Sequence, residues 1–260
     1  MTRTLISAIV AIAATAVVYA GQQATPLRHV PESIWDSGNK SVLVLLPVSG
    51  TWNADYEKYD TKVVQVLTID GAAPAKAPDA DAARTLFGDK AAGFVTALAA
   101  PGAFPLAVAR DVKAFVASNT KTLASGTLEV SFKLVSGATD QTAGIVFGLQ
   151  PDGSYTYARY NTKDGNVAVW KFEKGERTVL QHGEVHQQLP LNEWHTLQVT
   201  IMPDYTRKGA VVSASVKGTT LAVRHTLPAP VSGRVGVWTK TDSVTSFKDF
   251  VARSHEAIRR

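Results

Sequence analysis

The chain of 260 residues contains no cysteine. Disulfides are excluded, so a domain of this size has to be held together by its core, and a lipid anchor on an N-terminal cysteine is excluded as well. No apolar run reaches the ~20 residues that comfortably span a bilayer. No internal repeat is visible, and no long helical periodicity interrupts the second half of the chain. Charge is not concentrated either: 27 basic residues against 22 acidic give +5, scattered along the length. The two arginines that close ARSHEAIRR are solvated ends rather than a basic patch, so nucleic acid is not an expected partner.

Signatures of chemistry are equally scarce. There is no Gly-x-Ser-x-Gly elbow for a serine nucleophile. His182 and His186 in QHGEVHQQ have the i, i+4 spacing of a helical metal pair, but Gly183 and the surrounding pattern do not make a helix and no third ligand is evident. His195 follows Trp194 and lies in phase with Leu197, Val199 and Ile201, which marks a core histidine. No cofactor and no metal are expected.

What the chain does contain begins with MTRTLISAIVAIAATAVVYA at residues 1–20. A basic start at Arg3, an apolar stretch from Leu5 and small residues around Tyr19 are the parts of a secretory leader. Cleavage then leaves a mature chain from about Gly21, periplasmic or secreted, with no membrane partner; an uncleaved anchor is the alternative. Residues 21–252 are long enough for one large domain, and residues 253–260 read as a tail.

From Gly126 onward apolar residues alternate with period two, the mark of strands with one buried face. In GTLEVSFKLV, Leu128, Val130, Phe132 and Leu134 share a face. GIVFGL at 144–149 is apolar on both faces, as a central strand is. YTYARYN, VAVWKF, WHTLQVTI, KGAVVSASVKG and TLAVRHTL continue the series, and GRVGVWTKTDSVTSFKDFVA at 233–252 reads as its closing hairpin. About eight strands at ~8 to 12 residue spacing predict an all-β, two-sheet antiparallel jelly-roll sandwich. Before Gly126, SVLVLL and TKVVQVLTI read as strands of the same sandwich. DADAARTLFGDKAAGFVTALAA reads as a short helix or loop insertion capped near Asp79 or Asp81 and weakened by Gly88 and Gly93.

Two stretches carry candidate site residues. In YTYARYN, Tyr155, Tyr157, Arg159 and Asn161 share a face. Aromatic rings stack on the apolar side of a pyranose, and Arg and Asn present fixed groups to its hydroxyls; the bland reading is tyrosines covering a sheet and Arg159 pairing with a neighbouring acid. A three-residue turn at Lys163, Asp164 and Gly165, the preferred register, sets Lys171 opposite Tyr157. A two-residue turn sets Arg159 opposite Trp170. Asp140 and Gln141 lie in a polar loop before GIVFGL, where they either line a groove or form a turn.

The order of VSGATDQTAGIVFGLQPDGSYTYARYNTKDGNVAVWKFEKGERTVL, NEWHTLQVTI and GRVGVWTKTDSVTSFKDFVA resembles the concanavalin A-like lectin and glucanase superfamily. Within it, laminin G-like domains and the bacterial 3-keto-disaccharide hydrolase domain are nearest, over residues 104–252, with residues 21–103 as added strands and insertion. The resemblance implies a jelly roll with carbohydrate on a concave face, and it implies Asp140, Gln141, Arg159, Lys240, Asp242 and Ser243 as site residues. Calcium is possible by the same likeness, although no Asp-rich loop of ligand spacing occurs. The glucanases' Glu-x-Asp-x-x-Glu strand is absent here. The expected function is therefore glycan binding by Gln141, Tyr157, Arg159, Asn161, Lys171, Trp238, Lys240 and Ser243. The alternatives are a glycosidase using Asp140 and Asp242, and an interaction module with no sugar site.

Overall fold

The computed structural model describes residues 35–254 apart from 37–39, 43, 60–61, 72, 74–75, 101–102, 111–125 and 205. All of these fall in the unit Glu32–Arg260. The leader at 1–20, the start near Gly21 and the tail beyond residue 254 lie outside the described residues.

The order of elements begins with β1 (Trp35–Asp36), β2 (Lys40–Val42), β3 (Leu45–Ser49), β4 (Trp52–Tyr59) and β5 (Lys62–Asp70). Helices α1 (Ala80–Phe87) and α2 (Ala91–Leu98) and strand β6 (Leu106–Ala109) follow. Then come β7 (Gly126–Ser136), β8 (Thr142–Leu149), β9 (Tyr155–Asn161), β10 (Asn166–Glu173) and β11 (Glu176–His182). The last are β12 (Trp194–Asp204), β13 (Gly209–Val216), β14 (Ala222–Leu227), β15 (Arg234–Trp238) and β16 (Val244–Ser254).

The strands form two antiparallel sheets. One has nine strands, in the order β1-β2-β16-β7-β12-β13-β14, with β5 also on β16 and β4 on β5. The other has seven, in the order β11-β10-β9-β8-β15-β6-β3. The period-two faces supply the core between them: Leu128, Val130, Phe132 and Leu134 meet Ile145, Phe147, Ala158, Tyr160, Val167 and Val169. Each such Val, Leu, Ile or Phe side chain contributes roughly 1.5–3 kcal/mol on burial. The expected two-sheet sandwich is the observed fold.

A second apolar layer lies on the outer face of the seven-stranded sheet. There α1 and α2 set Leu86, Phe94 and Leu98 against Leu106, Val108, Val146, Tyr155 and Phe172. Asp79 caps α1 by accepting from the amides of Asp81 and Ala82 at 3.0 and 2.9 Å. Gly88, at φ +57°, closes α1 before α2 begins. The single expected helix is thus two short ones.

Two expectations about the C-terminal half are corrected. GRVGVWTKTDSVTSFKDFVA is not a hairpin: β15 pairs with β8 and β6 in one sheet, while β16 pairs with β7, β2 and β5 in the other. The polar stretch between them crosses the sandwich. Within β16 the register shifts between Lys248 and Val251 and Asp249 takes φ +51°, a bulge that turns both Phe247 and Phe250 into the core. The tail boundary also moves, because β16 runs on to Ser254. In addition, ERTVLQH forms β11, an edge strand whose residues are mostly exposed and therefore lack a clear apolar alternation.

Candidate functional site

The outer face of the β9–β10 pair changes character along its length. Tyr155 pairs with Phe172 and Tyr157 with Trp170; then Arg159 pairs with Ala168 and Asn161 with Asn166. The aromatic end runs under the helices, and the polar end stays uncovered. The small Ala168 beside Arg159 leaves space, and a cleft of about 490 Å3 opens there, floored by Tyr157, Arg159, Asn161, Asn166 and Trp238. Its walls are Asp164, Trp170, Arg177, His182, His186 and Lys240.

The observed register corrects both sequence alternatives. Asn161 pairs with Asn166, so the turn has the four residues 162–165, closed by the Gly165 amide donating to Asn161 O at 2.8 Å. Gly165 takes φ +69°, the left-handed conformation that favours glycine. Lys171 consequently pairs with Thr156, on the opposite face from Arg159, and forms an exposed ion pair with Glu173 at 2.7 Å. It is no part of the cleft. The guanidinium of Arg159 nevertheless lies 5.9 Å from the Trp170 ring, reached diagonally rather than directly across.

One connected network holds the polar floor. Arg159, 5% exposed, donates to Asp164 Oδ2 at 2.7 Å and to Asn166 Oδ1 at 2.9 Å. Asn161 Nδ2 donates to Asp164 Oδ2 at 3.2 Å and to Asp140 Oδ1 at 3.1 Å. Lys240 Nζ donates to Asp140 Oδ1 at 3.0 Å and stands at the same distance from Oδ2, but without the angle of a hydrogen bond. The buried Asp140 Oδ2 therefore feels the ammonium charge and has no directed donor. Burial lowers the pKa of Arg159, and Asp164 opposes that shift. Burial pushes the Tyr157 phenol up to about 12, with the Arg177 charge acting against it.

The other residues expected from sequence have structural partners. Asp242 accepts three consecutive amides, from Ala138 at 2.7 Å, Thr139 at 2.8 Å and Asp140 at 3.0 Å. The Thr139 amide first, with those of Asp140 and Ala138, holds its carboxyl below the ordinary carboxylate value, outweighing a smaller effect of burial. A carboxylate so engaged is a poor proton donor, and it binds the backbone of Asp140 instead of facing Asp140 across a cleft. Ser243 Oγ accepts from the Thr142 amide at 3.2 Å, and Gln141 Nε2 donates to Gly137 O at 3.0 Å. Asp242 and Ser243 clasp the β7–β8 loop to the β15–β16 crossing, and Gln141 braces that loop from within. Tyr157 and Trp238 are each 1% exposed, with ring centroids 4.3 Å apart and Phe104 edge-on to Trp238 at 5.7 Å. They are floor and not an exposed platform; the half-buried indole at the wall is Trp170.

Sequence reasoning missed Asn166, Arg177, His182 and His186 as cleft residues. Arg177 and His182 come from β11, opposite Phe172 and Ala168, and a bulge between Val169 and Trp170 hides the phase that joins them. His186 accompanies the turn, its Nδ1 2.9 Å from Asp164 O. His195 lies against Phe132 at 5.7 Å, away from the cleft lining. Among the described residues no group of three His, Asp or Glu is placed to hold a metal, and no helix is long and apolar enough to cross a membrane.

No family model matches the chain, and no curated protein matches it. Among solved structures it is similar to the carbohydrate-binding module CBM66 from Bacillus subtilis, at 12% identity over 80% of this chain and 97% of that one, with a TM-score of 0.47. It is similar to the Caenorhabditis elegans galectin LEC-6 at 16% identity, over 50% and 83% of the two chains, with a TM-score of 0.34. A Crh5 transglycosylase in complex with NAG matches at 15% identity, over 81% and 88%, with a TM-score of 0.37. These likenesses concern the arrangement of strands alone.

Proposed function

We propose that the chain binds a glycan in the cleft beside β9 and β10 and does not cleave it. The observation that carries this reading is the combination, in one cleft of about 490 Å3, of the Trp170 indole with Arg159, Asn161, Asn166 and Lys240. These polar groups are fixed by one another, so little side-chain order is lost when hydroxyls replace water. The experiment is calorimetric titration against a glycan panel that includes 3-keto-glycosides. Trp170→Ala is the informative variant, because Arg159 is buried and its removal perturbs the floor. A tenfold or greater loss of affinity, about 1.4 kcal/mol, is expected; no binding by the unaltered protein defeats the reading.

Hydrolysis of 3-keto-disaccharides is the second reading, favoured by one observation: buried Asp140 keeps Oδ2 without a hydrogen-bond donor. Asp140 is then its acid or base, with Asp242 holding the loop. Turnover of a 3-keto-glycoside that disappears in Asp140→Asn supports it, and absence of turnover by the unaltered protein dismisses it. Export by residues 1–20 completes the proposal, and an N-terminus at or near Gly21 in the mature protein is its test.

A further inference from the structure

Resting on the glycan reading, we infer that the cleft selects a sugar carrying a carboxylate, a uronate, and that Arg177 is the residue that reads it. The hydrogen-bonding capacity of the cleft is unequal. Asp164 already accepts from Arg159 and Asn161, and buried Asp140 is engaged by Asn161 and Lys240. Arg177 is different. Its guanidinium lies 4.4 Å from the Phe104 ring and 5.9 Å from the Trp170 ring, and among the described residues it has no carboxylate within ion-pair distance.

The wall therefore carries a guanidinium with no carboxylate of its own among the described residues, and the complementary ligand brings one. A guanidinium restrained beside two rings keeps its fork orientation, the geometry that pairs with a planar carboxylate through two parallel hydrogen bonds. Lys240 and Arg159 add positive potential without competing for that role, since their nearest acids hold them in place. A neutral sugar of the same size leaves Arg177 with the Tyr157 phenol and water, and its charge without a carboxylate.

The test uses the whole chain and oligosaccharides of galacturonate, glucuronate and mannuronate, each beside its methyl ester, with neutral and sulfated oligosaccharides in the same titrations. At least one acid is expected to bind about 10- to 100-fold more tightly than its own ester, the range of a charge-assisted hydrogen bond. That advantage should shrink as salt rises. Arg177→Gln, on a half-exposed edge-strand position, should abolish the ratio of acid to ester while retaining the fold, and Arg177→Lys should retain part of it. Equal binding of acid and ester, preference for sulfated sugars, or an unchanged ratio in Arg177→Gln overturns the uronate assignment. Binding of neutral sugars alone overturns it while leaving the glycan reading intact; binding of no sugar defeats that reading itself.

Discussion

Along β9 and β10 one sheet face has two halves. At the end near Tyr155 and Phe172 the outward side chains are aromatic and are sealed by Phe94 and its neighbours. At the end near Asn161 and Asn166 they are amides and a guanidinium, buried by mutual hydrogen bonding and open to a cleft. The strands and the register are the same; the extent of the two helices makes the difference. Burial on the first half is supported by apolar area, whereas on the second every polar group needs a partner. A face that alternates correctly can thus be core in one half and site in the other.

The comparison can be broken most forcefully at its sealed end. Phe94→Ala, at a fully buried position, should cost about 3–5 kcal/mol in urea unfolding. A loss under about 1 kcal/mol would mean that the helices decorate the sheet and do not complete its core. The rim of the open half comes next. Asp242→Ala removes the acceptor of three amides and should cost about 1–3 kcal/mol. Because the folded pKa of Asp242 is depressed, its contribution is full above the unfolded carboxylate value of about 4 and is lost as pH falls through the lower folded value. The stability gap between the unaltered protein and Asp242→Asn should therefore narrow as pH is lowered from about 4; a gap independent of pH contradicts the clasp. The smallest effect is expected behind the cleft, where Lys171→Ala should change stability by less than about 0.5 kcal/mol and leave sugar affinity unaltered.

The sandwich was legible because alternation in β7, β8 and β12 records which side chains leave water, and that pattern is local. Partnership between distant strands is not local. Val235 and Val237 do enter the core as their phase implies, yet nothing in GRVGVWTKTDSVTSFKDFVA marks that its two runs join different sheets. The positions of Asp140, Arg159 and Lys240 in one network follow from that crossing. Asp242 shows the converse limit: an aspartate in a loop looks equally suited to chemistry and to capping, and only the three amides around it decide between them. For Lys171 a single residue of turn length decides the face, because it shifts the register by one. Nothing local marks Arg177, because an exposed edge strand carries little apolar periodicity.

The place of β15 and β16 also governs the order in which the sandwich can be completed. β15 lies between β8 and β6, and β16 lies between β7 and β2, so two strands far along the chain occupy interior positions of both sheets. A nascent chain lacking them has unpaired strand edges on either side of a gap, and their contacts span most of the sequence. Such long-range closure is slow. Loss of these two strands therefore does not trim the sandwich from one side; it removes the middle of each sheet.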